Sequence, residues 1–216
     1  MTVLLTRHRL FSTGLRRSLA VLLALQLAGC GASLLPKPPA APVRYTLDDA
    51  APRPAARAPA DDAPVLVVAV PRAAPGHDSV QMVYLRQPQE LASFAYNEWV
   101  DTPAHMLAPL LVRALQDSGA FRAVLLAPSA AHGDLRLETE LIRLQQDFSE
   151  RPSQLRLTLR AVLLDSATRR VIASREFDQS VPAPSDDPAG GAAAAHVATQ
   201  RLLAALARFC AEPVRR

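Results

Sequence analysis

Cys30 has the clearest chemical prospect of any side chain in this sequence. Its thiol closes Leu27-Ala28-Gly29-Cys30, behind an apolar run and two small residues. Small residues after an apolar run mark a processing site at this end of the run. The second cysteine, Cys210, sits on an amphipathic C-terminal segment and reads as a buried apolar thiol. With Cys30 modified, Cys210 has no partner and no disulfide framework exists.

The other reactive side chains do not assemble into a catalytic pattern. The sequence contains no Gly-x-Ser-x-Gly elbow, no His-Glu-x-x-His helix and no glycine-rich phosphate loop. Past the N-terminal segment the histidines are His77, His105, His132 and His196, at spacings that suggest no metal site. His132-Gly133-Asp134 reads as a turn before a strand, and His105 as a solvated residue on a helix. Asp186-Asp187 reads as surface charge and turn chemistry rather than a calcium site. No catalytic residue, metal or cofactor is expected.

What precedes Cys30 explains it. Residues 1–17 carry Arg7, Arg9, Arg16 and Arg17 and no acid, and residues 19–28 are almost wholly apolar. That apolar run is about half of the ~20 residues a transmembrane helix needs, so residues 1–29 read as a secretory signal. Leu27-Ala28-Gly29-Cys30 resembles the lipobox of bacterial lipoproteins, which implies cleavage between Gly29 and Cys30 and acylation of Cys30, with palmitate among the chains. The competing reading is an ordinary signal that ends by chance in cysteine. Residues 30–42 hold four prolines and read as a tether from the lipidated cysteine.

The charge balance follows from the same division. The whole chain carries a formal net charge of +4, yet four of its basic residues and none of its acids precede Cys30. The remainder is balanced and has no run of five like charges, which argues against a nucleic-acid partner.

From residue 43 onward the patterning reads as one domain to about residue 212, with a flexible loop at 49–64 and a short tail at 213–216. Strands are expected at 43–47, 65–70, 80–86, 91–99 and 121–126, with Gln87-Pro88-Gln89-Glu90 as a hairpin turn. A helix is expected over 103–117, capped by Asp101 or Thr102, with Pro103 in its first turn and Gly119 at its end. Three alternating stretches follow at 135–148, 154–165 and 170–181. In the first, Leu135, Leu137 and Leu141 share one parity and Ile142, Leu144 and Phe148 the other, which predicts a bulge near 141–142. Residues 182–191 read as a loop and about 192–210 as the last helix. The expected fold is α+β: a two-layer sandwich of a mostly antiparallel sheet with both helices on one face.

Tyr96-Asn97-Glu98-Trp99, just before the first helix, contains the only tryptophan of the chain. Trp99 either packs beneath the helix or joins Tyr96 in a partner or lipid-contact surface, since both residue types are enriched at interfaces.

This block carries a family resemblance. Tyr45-Thr46-Leu47-Asp48, Phe94-Ala95-Tyr96-Asn97-Glu98-Trp99-Val100-Asp101-Thr102-Pro103, Met106-Leu107-Ala108-Pro109-Leu110-Leu111 and Ser118-Gly119-Ala120-Phe121-Arg122 resemble the ABC-type transport auxiliary lipoprotein family, which includes the paraquat-inducible protein C type. The likeness spans about residues 43–210. It implies a non-catalytic periplasmic lipoprotein beside an ABC permease and ATPase complex and an Mce-domain protein, moving lipid cargo between two membranes. It also implies a homo-oligomer. Gly31 stands where an inner-membrane retention signal would place Asp, which favours the periplasmic face of the outer membrane. An outer-membrane assembly or lipopolysaccharide-insertion lipoprotein is the alternative. A hydrolase using Ser, His and Asp is a third reading, weakened by the missing motifs.

Overall fold

The computed structural model describes residues 40–48 and 58–215. Gly29, Cys30, the signal segment, the tether up to residue 39 and residues 49–57 of the expected loop lie outside the described residues. In chain order the elements are β1 (Val43–Tyr45), β2 (Val65–Val68), β3 (Arg72–Ala73), β4 (Gln81–Leu85), β5 (Leu91–Trp99), α1 (Pro103–Asp117), β6 (Ala123–Leu126), β7 (Leu135–Asp147), β8 (Gln154–Asp165), β9 (Val171–Pro182) and α2 (Pro188–Ala211).

The sheet is built around β7. On one side β8 pairs antiparallel with it, and β9 pairs antiparallel with β8. On the other side β2, β3 and β4 lie end to end along β7, each parallel to it. Two arms extend from them: β6 pairs parallel with β2, while β5 pairs antiparallel with β4 and carries β1 parallel at its edge. The long β7–β8–β9 meander is the antiparallel part the alternation predicts. The parallel pairs of β1, β2, β3 and β4 are an addition to it, and β3 has only two residues. A short strand joined by a long crossover carries no local mark of its direction, unlike a hairpin partner.

Side-chain alternation gives the sheet one dry face and one open face. Leu66, Val68, Leu137, Leu141, Leu157, Leu159 and Leu163 are fully buried, and both helices pack against their side of the sheet. The predicted bulge is present: the β7–β8 register shifts between Leu141 and Arg143. Ile142 is the additional residue, so Leu141 and Leu144, an odd distance apart, are both buried.

Helix α1 is capped by Thr102, whose Oγ1 accepts from the His105 N–H at 3.4 Å. The helix runs through Pro109, which lies exposed, so its missing N–H frees a carbonyl toward water and not into the core. Helix α2 begins at Pro188, before the expected 192. The Pro-Ala-Gly-Gly start reads as loop, but Asp187 accepts from Gly190 N–H at 2.7 Å and Pro188 takes the first turn. The glycines serve close approach: a Cβ on Gly190 would strike Ser185, and one on Gly191 would strike the Gln146 side chain. Past residue 212, Pro213–Arg215 form a 3-10 turn and Val214 packs against the core.

Candidate functional site

The blocks that carry the family resemblance are some fifty positions apart in sequence and meet at one corner of the sheet. Edge strand β1 pairs with the end of β5 so that Tyr45 faces Trp99, and Val100 N–H donates to the Tyr45 carbonyl at 2.8 Å. Just beyond β1, the Leu47 N–H donates to the Met106 thioether of α1 at 3.4 Å. Trp99 N–H donates to the Val80 carbonyl at 2.7 Å, holding the strand end as the chain turns into the Thr102 cap. β1, β5 and α1 thus form one joint, and β1 is the first element after the expected tether.

Trp99 and Tyr96 part company there. Trp99 is 3% exposed and packs in the core, while Tyr96 is 58% exposed. Its burial takes Trp99 out of any surface patch shared with Tyr96. The outward side of the joint presents Tyr96, Val100 at 51% exposure, and an Arg44–Glu98 ion pair at 2.8 Å. Tyr96 is the predicted contact residue that remains available to a partner.

The other singled-out residues do structural work. Asp134 Oδ2 accepts from Val65 N–H at 2.8 Å, so His132-Gly133-Asp134 is a strand-entry turn. Asp186 accepts from Ser153 N–H at 2.7 Å and Asp187 caps α2; these N–H donors hold both carboxyls below the usual carboxylate range. His105 is solvated and lies 3.3 Å from Asp101. His77 is half-buried with Nδ1 3.5 Å from Leu144 N–H, and burial holds its pKa below the ordinary histidine value. Cys210 is fully buried, and burial pushes its thiol up to about 12. No cluster of three His, Cys, Asp or Glu side chains suited to a metal occurs among the described residues.

The open sheet face carries a cross-strand charge network that the sequence reveals only as alternating polar residues. Arg160 bridges Glu140 and Glu176 at 3.2 Å each, and Arg143 reaches both Thr158 (2.7 Å) and Asp178 (3.2 Å). Arg156 pairs with Asp147 at 3.1 Å. Strand periodicity gives the face of each residue but not its partner across the ladder.

The described residues thus form a two-layer α+β domain with a structural joint at one corner and an open, charged sheet face. The model of the ABC-type transport auxiliary lipoprotein component matches residues 45–207, and the chain belongs to that family. The crystal structure of XCC0632 from Xanthomonas campestris is similar at 28% identity and a TM-score of 0.65, covering 78% of this chain and 94% of that one. The crystal structure of an uncharacterized protein is similar in fold at 14% identity and a TM-score of 0.61, covering 79% of this chain and 99% of that one. No curated protein matches.

Proposed function

We propose that this chain is a non-catalytic periplasmic lipoprotein that serves an ABC- and Mce-type lipid transport system, anchored through acylated Cys30 to the periplasmic face of the outer membrane. The observation that carries the reading is the family match from residue 45, directly after a tether that leads back to the Arg-flanked apolar run and Cys30. More than one acyl chain on Cys30 gives stable anchoring where a single chain is marginal. The β1–β5–α1 joint supports a docking role, because it presents Tyr96 and Val100 to solvent beside β1, the first strand after the expected tether.

Affinity purification of the tagged protein from solubilised membranes, with mass spectrometry of the recovered proteins and lipids, tests this reading. Co-recovery of an Mce-domain protein with an ABC permease and ATPase is expected. Reproducible recovery of outer-membrane barrels and their assembly factors instead would overturn it in favour of an assembly or lipopolysaccharide-insertion role.

A further inference from the structure

The open face of the sheet is not uniformly polar. At one end a cleft of about 790 Å³ opens between the β6–β7 loop (residues 127–134) and the turn between β8 and β9. A smaller recess of about 260 Å³ shares Val70, Ala127, Arg136 and Glu138 with it and continues to Arg72. The main volume falls within the roughly 300–1,000 Å³ of ordinary small-ligand sites.

The loop that walls the cleft is tied at both ends. Ala127 N–H donates to the Val68 carbonyl at 2.8 Å, and Asp134 exchanges bonds with Val65 through its N–H (2.9 Å) and its carboxylate (2.8 Å). Ser166 N–H donates to the Asp134 carbonyl at 3.0 Å, linking this wall to the opposite turn. Gly133 lies so close to β2 that a Cβ would come within 2.6 Å of Val67 Cγ2. The wall is therefore preformed rather than assembled on binding.

The lining has two characters. Val67, Val70, Pro128 and Leu164 supply an apolar surface, and Val70 is 41% exposed, large for a valine beside a strand. The charged groups are unequal in availability. Asp165 already accepts from Thr168 N–H and Oγ1, each at 2.7 Å, and Glu138 pairs with Arg136 at 3.1 Å. Arg169 in the cleft and Arg72 in the recess have no carboxylate partner among the described residues. Arginine forks left free beside apolar surface suit an oxyanion joined to a hydrocarbon.

We propose that this cleft binds an amphiphilic phosphate, with its headgroup between Arg169, Arg136 and Arg72 and the start of its apolar part on Val67, Val70 and Leu164. The volume takes a headgroup and its adjoining chain, not a whole diacyl lipid, so the bound species is held by its polar end. The choice of a lipid among such anions rests on the lipid-transport reading above; the site itself rests on the cleft.

Calorimetric titration of the full-length protein in phosphatidylcholine nanodiscs tests this, with empty nanodiscs as the blank. The probes are dihexanoyl phosphatidate, dihexanoyl phosphatidylcholine, hexanoate and inorganic phosphate. Saturable one-site binding of the phosphatidate is expected, weakened about tenfold or more by R72Q or R169Q, each of which removes charge-assisted bonds. Both arginines are exposed and have no ion-pair partner among the described residues, so these variants should keep the native melting temperature. Equal binding by the R72Q/R169Q double variant, or no saturable binding, would each overturn the site, whereas saturable binding of the choline lipid would support it and extend the headgroup to phosphodiesters. Inorganic phosphate binding as tightly as the lipid would overturn the amphiphile assignment, and tighter hexanoate binding would overturn the phosphate. Phosphatidate binding without co-recovery of an Mce-domain protein would leave the cleft standing and remove the transport reading; the reverse result would remove only the cleft.

Discussion

At the scale of single residues, the joint between β5 and α1 separates stability from surface. Trp99 contributes its indole to the core beneath α1, alongside Met82 and Met106, so Trp99→Ala leaves a large cavity. Its expected cost is about 3–5 kcal/mol, read from the midpoint of urea unfolding. Tyr96→Ala removes an exposed ring and should change stability by no more than about 0.5 kcal/mol. If Tyr96 is the docking residue, that variant keeps its fold and membrane attachment but loses the co-purifying partner; unchanged recovery would remove Tyr96 from the contact surface. The sequence made this block conspicuous through composition and left open whether Trp99 packs beneath the helix or shares a contact surface with Tyr96. Burial decides it, on a stretch of β5 whose register against β4 is irregular and whose faces the sequence period does not give. The cleft arginines were not legible in this way, since Arg169 lines the cleft, Arg72 the adjoining recess and Arg136 both, from three different segments with no shared local motif.

At the scale of elements, the β7–β8–β9 meander was readable because each strand is long, alternates, and follows its neighbour by a short turn. The switch of parity at Leu141–Leu144 even located its bulge. The parallel arms were not readable: β2, β3 and β4 span four, two and five residues, and their common partner β7 lies far along the chain. His77 follows β3 and faces β7, so it couples the short arm to the meander through Leu144 N–H. Its pKa is lowered by burial, with the Arg143 guanidinium beside it acting in the same sense. The unfolded chain therefore takes up this proton near pH 6.5, and the folded chain only at lower pH. Stability should fall as pH drops below about 6.5, before the carboxylates respond. Asp147 and Asp178 act lower in the range. Thr158 is the main cause at Asp178; at Asp147, burial opposes ionisation but bonds from Ser149 and Arg156 outweigh it. Both carboxyls lie below their ordinary value, so their contribution is present above about pH 4 and fades as the acid range is entered. His77→Asn keeps an acceptor for Leu144 and removes the titration. Its melting temperature should be flat between about pH 7 and 5, where the parent declines; parallel curves would refute the assignment.

At the scale of the whole molecule, the proposed acylation of Cys30 would hold the folded unit that runs from Ala41 onward beside one membrane. On that reading, the membrane that takes the anchor decides which end of a two-membrane machine the domain can touch. Cys30→Ala tests the anchor: the protein should keep its signal segment, carry no acyl chains by intact-mass measurement, and lose its place in the outer-membrane fraction. Gly31→Asp tests the address without disturbing the anchor, since it restores the residue an inner-membrane retention signal would have. The variant should still be acylated and trimmed, with an unchanged melting temperature, but should sediment with the inner membrane in a sucrose gradient. Lipid transport should then fail although the joint, the cleft and the acyl chains are all intact. Outer-membrane fractionation of Gly31→Asp would refute the address, and full transport from the inner membrane would show that the domain does not need to be held at the outer one.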